Sequence, residues 1–140
     1  IERTNIVRYL VPAVALFSRS KVFPNHVWNR LAAFVERHYQ PIELQSIKLC
    51  LSPKKNLYLS LNLTDELSRA IYFYGTHEPA TTAFLRRRFS DVSLSKVYDI
   101  GSNMGFYAMM AAVMRRGRGS VEAFEPVPWI FNYFQMNTKK

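Results

Sequence analysis

Between Asp99 and Gly105 the chain reads Asp-Ile-Gly-Ser-Asn-Met-Gly. An apolar run, Val97, Tyr98 and Ile100, precedes Gly101, and Phe106, Met109, Met110, Val113 and Met114 follow Gly105 at helical spacing. This order predicts a short buried strand, Lys96 to Ile100, feeding a helix through a glycine turn. Glycines let backbone pass close to a ligand because no Cβ stands in the way. The start of a helix also offers N–H groups with no intrahelical partner. Gly117 and Gly119 bracket the exit of that helix, and Ser120 to Phe124 reads as a second strand, ended by Glu125 and Pro126. Glu125 lies 24 residues beyond Gly101, at the carboxyl end of a strand, where ligands of open α/β sheets bind. Its two oxygens can accept hydrogen bonds from the vicinal hydroxyls of a ribose.

The spacing argues against phosphates. The dinucleotide fingerprint G-x-G-x-x-G needs a glycine where Asn103 stands, and its third glycine is displaced here. There is also no G-x-x-x-x-G-K-S/T loop. Asp99 would repel a phosphate but suits an ammonium group. A nucleoside without phosphates fits better, and S-adenosylmethionine offers an amino group, a sulfonium and a ribose diol. Blander roles stay open. Gly101 and Gly105 can be turn and helix-packing glycines, Asp99 can hold backbone N–H groups of the turn, and Glu78 can cap a helix. Glu122 is expected to face solvent or a neighbouring segment.

The runs Val97-Tyr-Asp-Ile-Gly-Ser-Asn-Met-Gly-Phe-Tyr and Val121-Glu-Ala-Phe-Glu-Pro resemble the two motifs of the FkbM-type methyltransferases, D-x-G-A-N-x-G-x-Y and A-F-E-P followed by a helix ending in Asn. Asn137 occupies that last place, and Gly75-Thr-His-Glu-Pro resembles the G-x-x-E-P stretch ahead of the first strand. The likeness covers residues 75–137 well, residues 47–74 in outline, and residues 1–45 not at all. It implies an α/β, Rossmann-like class I methyltransferase fold that transfers a methyl group from S-adenosylmethionine, usually to a hydroxyl of a small molecule or sugar. By that resemblance Gly101, Ser102, Asn103 and Gly105 line the methionine part, Glu125 holds the ribose, and Glu78 closes over the cofactor. Ser102 stands where the family often has Ala. No general base and no adenine pocket can be assigned. Such folds have about seven strands, so only the first strands and helices are expected here.

The elements ahead of these motifs must position them. Asn25 can cap a helix running to about Tyr39, with Val27, Leu31, Phe34 and Val35 on one face and Pro41 beyond its end. Ile47, Leu49 and Leu51, then Leu57, Leu59, Leu61 and Leu63, alternate across a polar turn from Ser52 to Asn56, which predicts a hairpin with one buried face. Thr64 can cap a helix from Asp65 to about Tyr74, and Pro79 suits the first position of a helix ending near Phe89. The run Arg86, Arg87 and Arg88 then sits at a helix C-terminus, where cations are favoured. Residues 1–45 are expected to form a helical extension, residues 46–94 a hairpin with helices, and residues 95–140 the start of the cofactor-binding domain. Cys50 is expected to be a small buried apolar group of its strand. The aromatic set Trp129, Phe131, Tyr133 and Phe134 is expected in the core, and His26 and His38 on the solvent side.

Composition bounds the partners. With 140 residues, 49% hydrophobic and 21% charged, the chain can bury a core. One cysteine excludes an internal disulfide and any multi-cysteine metal site, and no metal is expected. The net charge is +9, yet the basic residues form no ordered stripe, and a nucleic-acid partner is not expected. The rivals are an RNA methyltransferase and a non-catalytic basic module that binds nucleic acid or membrane. The apolar run Tyr9 to Phe17 is shorter than the ~20 residues that cross a bilayer. Flanked by Arg3, Arg8, Arg19 and Lys21, it suits a peripheral membrane contact or the remnant of a signal segment, although no clean small-residue cleavage site follows. A cytoplasmic location is the expectation.

Overall fold

A computed structural model of the chain describes residues 3–20, 26–27, 30, 33–34, 45–52 and 54–139. The chain divides into two compact units, one drawn from residues 1–45 and 62–77, the other from residues 46–61 and 78–140. Both α-helices and small β-sheets are present, in a mixed α/β arrangement.

The first unit is built on a helix pair. Helix α1 (Arg3–Ser20) contains Pro12 and buries Val11, Val14 and Ala15, which the i, i+3, i+4 spacing puts on one side. It packs on α2 (Glu66–Tyr74), which buries Ser68, Ile71, Tyr72 and Phe73. The cap of α2 is Asp65 rather than the expected Thr64. The Asp65 carboxylate accepts the Ser68 N–H at 2.8 Å, while the Thr64 hydroxyl turns to the Asn62 side-chain oxygen. Gly75 ends α2 at φ +72°, giving its N–H to the Ile71 carbonyl. The Ser18 hydroxyl donates to the carbonyls of Ala15 and Phe73. The Arg19 guanidinium lies 5.6 Å from the Tyr72 ring centre, and burial lowers the pKa of Arg19 and raises that of Tyr72. Of the helix expected from Asn25 to Tyr39, only His26, Val27, Arg30, Ala33 and Phe34 are described, all helical and exposed; His38 lies outside the described residues. Among the described residues no helix is long and apolar enough to cross a membrane.

The second unit has three layers. Strands β1 (Gln45–Ser52) and β2 (Lys55–Leu61) pair as a two-stranded sheet, and a connection this short permits only antiparallel pairing. Lys54 takes φ +66° in the turn, which is tighter than the five polar residues suggested. Alternation buries Ile47, Leu49, Leu51, Leu57, Leu59 and Leu61. Leu63 is buried as well, but beyond the end of β2. Cys50 is exposed, contrary to expectation. It falls between Leu49 and Leu51 on a strand with one buried face, so the same alternation turns it outward.

The buried face of the hairpin meets helices α4 (Phe106–Arg115) and α5 (Pro128–Thr138) through β2. On its other side α4 packs on the parallel strands β3 (Lys96–Ile100) and β4 (Ser120–Phe124). Helix α3 (Pro79–Phe89) packs beside α4. The strands pair in register, from Lys96 with Ser120 to Ile100 with Phe124. The β3–α4–β4 unit read from the glycine turn is therefore present with its strands adjacent and parallel. Val97, Asp99, Val121 and Ala123 share one face. Contrary to the expectation of a buried strand, Tyr98 and Ile100 lie exposed on the other with Phe124, because only one face of the pair is covered; there Lys96 also pairs with Glu122 at 3.0 Å.

The aromatic set on α5 departs from expectation. Only Phe134 is in the core; Trp129 is 62% and Phe131 37% exposed. Aromatics at 129, 131, 133 and 134 point to several sides of a helix, and α5 buries only the side carrying Phe134 and Asn137.

Candidate functional site

The loop between β3 and α4 is shaped by three left-handed residues and a set of hydrogen bonds. Gly101 has φ +79°, Asn103 φ +51° and Gly105 φ +89°, a region that Gly occupies readily and Asn tolerates. The N–H groups of Gly101 and Ser102 both reach the Phe124 carbonyl, at 2.8 and 3.0 Å, and the Gly105 N–H closes on the Ser102 carbonyl at 2.8 Å. The Asn103 side-chain oxygen accepts the Met104 N–H at 2.7 Å. The loop is thus tied to the end of β4 as well as to itself.

The two glycines do different work. A Cβ on Gly101 would meet nothing within 4 Å, whereas one on Gly105 would lie 2.4 Å from the Phe134 ring. Gly105 is accordingly the helix-packing glycine, flush against α5. Gly101 lines an open cleft of about 620 Å³, with Ile100, Ala123, Phe124, Glu125, Pro126 and Phe131. That lies within the ~300–1,000 Å³ of small-molecule sites, and a mainly apolar lining with a few polar groups is their usual chemistry. The cleft sits off the carboxyl ends of β3 and β4, where the sequence placed it.

Glu125 is half-buried and already holds two donors. One oxygen accepts the Asn103 N–H at 2.8 Å, and the other accepts the Val127 N–H at 2.9 Å. This clasp, which no spacing in the chain foretells, fastens the glycine loop to the start of α5. A carboxylate has about four lone-pair positions. Two are used, leaving one on each oxygen, the number a vicinal diol requires.

Asp99 faces α4, where the Ala108 N–H bonds its carboxylate, yet burial outweighs that bond and raises its pKa. Its Oδ2 is shut from solvent and, among the described residues, has no hydrogen-bond partner; the same holds for the Ser102 hydroxyl. Two orphaned polar atoms thus lie in one strand-and-loop segment, where such atoms are costly unless something satisfies them.

Glu78 occupies the N-cap position of α3 but makes no capping bond with its side chain, and its backbone is left-handed at φ +49°. A non-glycine residue in that region carries strain. Its carboxylate approaches Tyr107, a residue in the first turn of α4 that the sequence reading did not single out. The Tyr107 hydroxyl lies 3.5 Å from the Thr82 hydroxyl. Burial raises its pKa, the Thr82 bond lowers it, and Glu78, by charge and hydrogen bond, and Asp99, by charge, raise it further. Glu78, Tyr107 and Asp99 therefore form one electrostatic group beside the loop. The signal available in sequence was the tyrosine two residues past Gly105, the last letter of the motif.

Arg86, Arg87 and Arg88 are at the exit of α3, where Arg88 pairs with Asp91 at 3.0 Å. Among the described residues, no three His, Cys, Asp or Glu side chains are grouped to hold a metal ion. No family model matches the chain, and neither curated proteins nor solved structures give a significant match.

Proposed function

We propose that the second unit binds S-adenosylmethionine at the β3–α4 loop and that the protein is a methyltransferase acting on a hydroxyl of a small molecule or sugar. The observation that carries this reading is the cleft in which the open side of Gly101 and the two unused acceptor positions of Glu125 meet. The lack of a phosphate cradle in the loop sequence favours a nucleoside over a nucleotide. In this reading Glu125 accepts from the ribose diol, the loop from Gly101 to Gly105 follows the methionine part, and Asp99 takes the amino group. Reaching the Asp99 Oδ2 requires a small opening of the loop, because that atom is buried. In the same reading Glu78, with Tyr107 beside it, closes over the ligand.

The cofactor supplies an electrophilic methyl group on sulfur. The protein's part is placement, since holding two reactants in line removes much of the entropic barrier to a displacement. The acceptor class rests on the motif resemblance alone. Calorimetric titration of the chain with S-adenosylmethionine, S-adenosylhomocysteine and NAD tests the reading. Both sulfur nucleosides should bind and NAD should not. No heat with either nucleoside, or tighter binding of NAD, would overturn it.

A further inference from the structure

Asn137 is completely buried near the end of α5. Its side-chain oxygen accepts the Ser60 N–H at 2.6 Å, and its amide nitrogen donates to the Ser60 carbonyl at 3.2 Å. It thus bonds β2 as a neighbouring strand would, at a separation of 77 residues in sequence. The same nitrogen donates to the Met104 carbonyl at 3.1 Å. That carbonyl belongs to the peptide joining Met104 to Gly105, and the N–H of the same peptide bonds the Ser102 carbonyl at 2.8 Å. Both ends of one peptide plane are therefore pinned. Three residues earlier on α5, and so on the same helix side, Phe134 fills the space a Gly105 side chain would need.

We infer that Asn137 is a positioning residue for the ligand loop: by fixing the Met104–Gly105 peptide against β2 it sets the loop shape that the cofactor meets. This rests on the proposed cofactor reading for its functional half. The fixing of the peptide stands independently of it. A glycine-containing peptide rotates easily, because the residue after the bond tolerates both signs of φ. Removing the Asn137 donor takes away the bond that holds the Met104 carbonyl toward α5 and lets this peptide turn. Serine at 137 loses the bridge. Aspartate keeps an acceptor for the Ser60 N–H but sets a carboxylate against two carbonyls.

The test is amide hydrogen exchange by NMR on the whole chain, as wild type, Asn137→Ser and Asn137→Asp, with S-adenosylmethionine titrations well below each melting temperature. The expected result is faster exchange at Gly105 with no matching rise at Met110 in the middle of α4, and a Kd raised about tenfold or more, the scale of one lost buried hydrogen bond. Equal acceleration at Gly105 and Met110 would reduce Asn137 to general stability and overturn the inference. So would a local change at Gly105 that leaves the Kd unaltered. If the wild type does not bind the cofactor, the proposed function fails, and the exchange pattern alone decides whether the loop is fixed by Asn137. Should neither variant fold, the wild type carries the test: the Asn137 side-chain amide resonances must shift on adding the cofactor, and unshifted resonances overturn the inference.

Discussion

Replacing Glu125 separates its two roles. Its carboxylate accepts the Asn103 and Val127 N–H groups at 2.8 and 2.9 Å. In the proposed complex it would also accept two ribose hydroxyls on its remaining lone pairs. Hydrogen bonds to charged groups contribute roughly 1.5–3 kcal/mol each. Alanine removes both ribose acceptors and the clasp, so S-adenosylmethionine should bind about a hundred- to ten-thousand-fold more weakly, at ~1.4 kcal/mol per decade. Both N–H groups are near the surface and water can replace part of what they lose, so unfolding free energy should fall by only about 1–3 kcal/mol and the fold should survive. Glutamine is informative because its amide nitrogen cannot accept. Whichever way it turns, one of the two backbone donors faces another donor, yet one oxygen remains for the ligand. Its affinity should fall between wild type and alanine, with the clasp half lost. Isothermal calorimetry and thermal melts on the three proteins measure both quantities. Equal Kd values in all three, with a lowered melting temperature in the variants, would leave Glu125 as a loop fastener only and refute its place in the ligand site.

The glycines and Asp99 give two further tests. Gly101→Ala costs only the left-handed backbone, about 1–2 kcal/mol, but puts a methyl group into the cleft, so it should weaken cofactor binding in a folded protein. Gly105→Ala adds overpacking against Phe134, for a total of about 2–5 kcal/mol, and should show mainly as lost stability in denaturant melts; the reverse ranking would contradict the division of labour. Burial raises the Asp99 pKa, so the folded state holds that proton more tightly than the unfolded chain. Ionised Asp99 therefore costs stability above its folded pKa, and the cost disappears as pH falls through that value toward and below the ordinary carboxylate range. Asp99→Asn should stabilise the chain at neutral pH by on the order of 1 kcal/mol, lose that advantage in acid, and bind the cofactor less well. A variant less stable than wild type at pH 7 would refute this.

Much of the second unit was legible because its signals are local. Glycines at 101 and 105, an apolar strand before them and a helical face after them define a turn whatever else the chain does. The start of α3 at Pro79 follows from equally short-range rules, whereas the exposure of Tyr98 and Ile100 on a strand expected to be buried depends on which face other elements cover. What escaped depends on distant partners or on neighbouring candidates of equal merit. Thr64 and Asp65 are both good caps, and side-chain reach to Ser68 decides between them. The aromatics of α5 cover several sides of the helix, so only its packing partners choose Phe134 for the core. The bonds of Asn137 to Ser60 and the clasp of Glu125 on Asn103 join segments that no periodicity links. Cys50 is different: its residue type favours burial, but the alternation with Leu49 and Leu51 turns it outward, and on a strand with one buried face the alternation decides.

The position of α4 between the hairpin and the parallel strands bears on modularity. Leu57, Leu59 and Leu61 are at most 1% exposed and form the wall against which α4 and α5 rest. The compact unit that carries the proposed site therefore begins at the hairpin and skips the segment from residue 62 to 77, which belongs with α1. A cut ahead of β3 would respect the linear order of the motifs and still strip one complete side from the helix that follows them. For recombination or domain grafting, the transferable piece is discontinuous in sequence. Exchanges that keep residues 46–61 with residues 78–140 preserve it, and a single crossover between the hairpin and β3 pairs a helix from one parent with a wall shaped by the other.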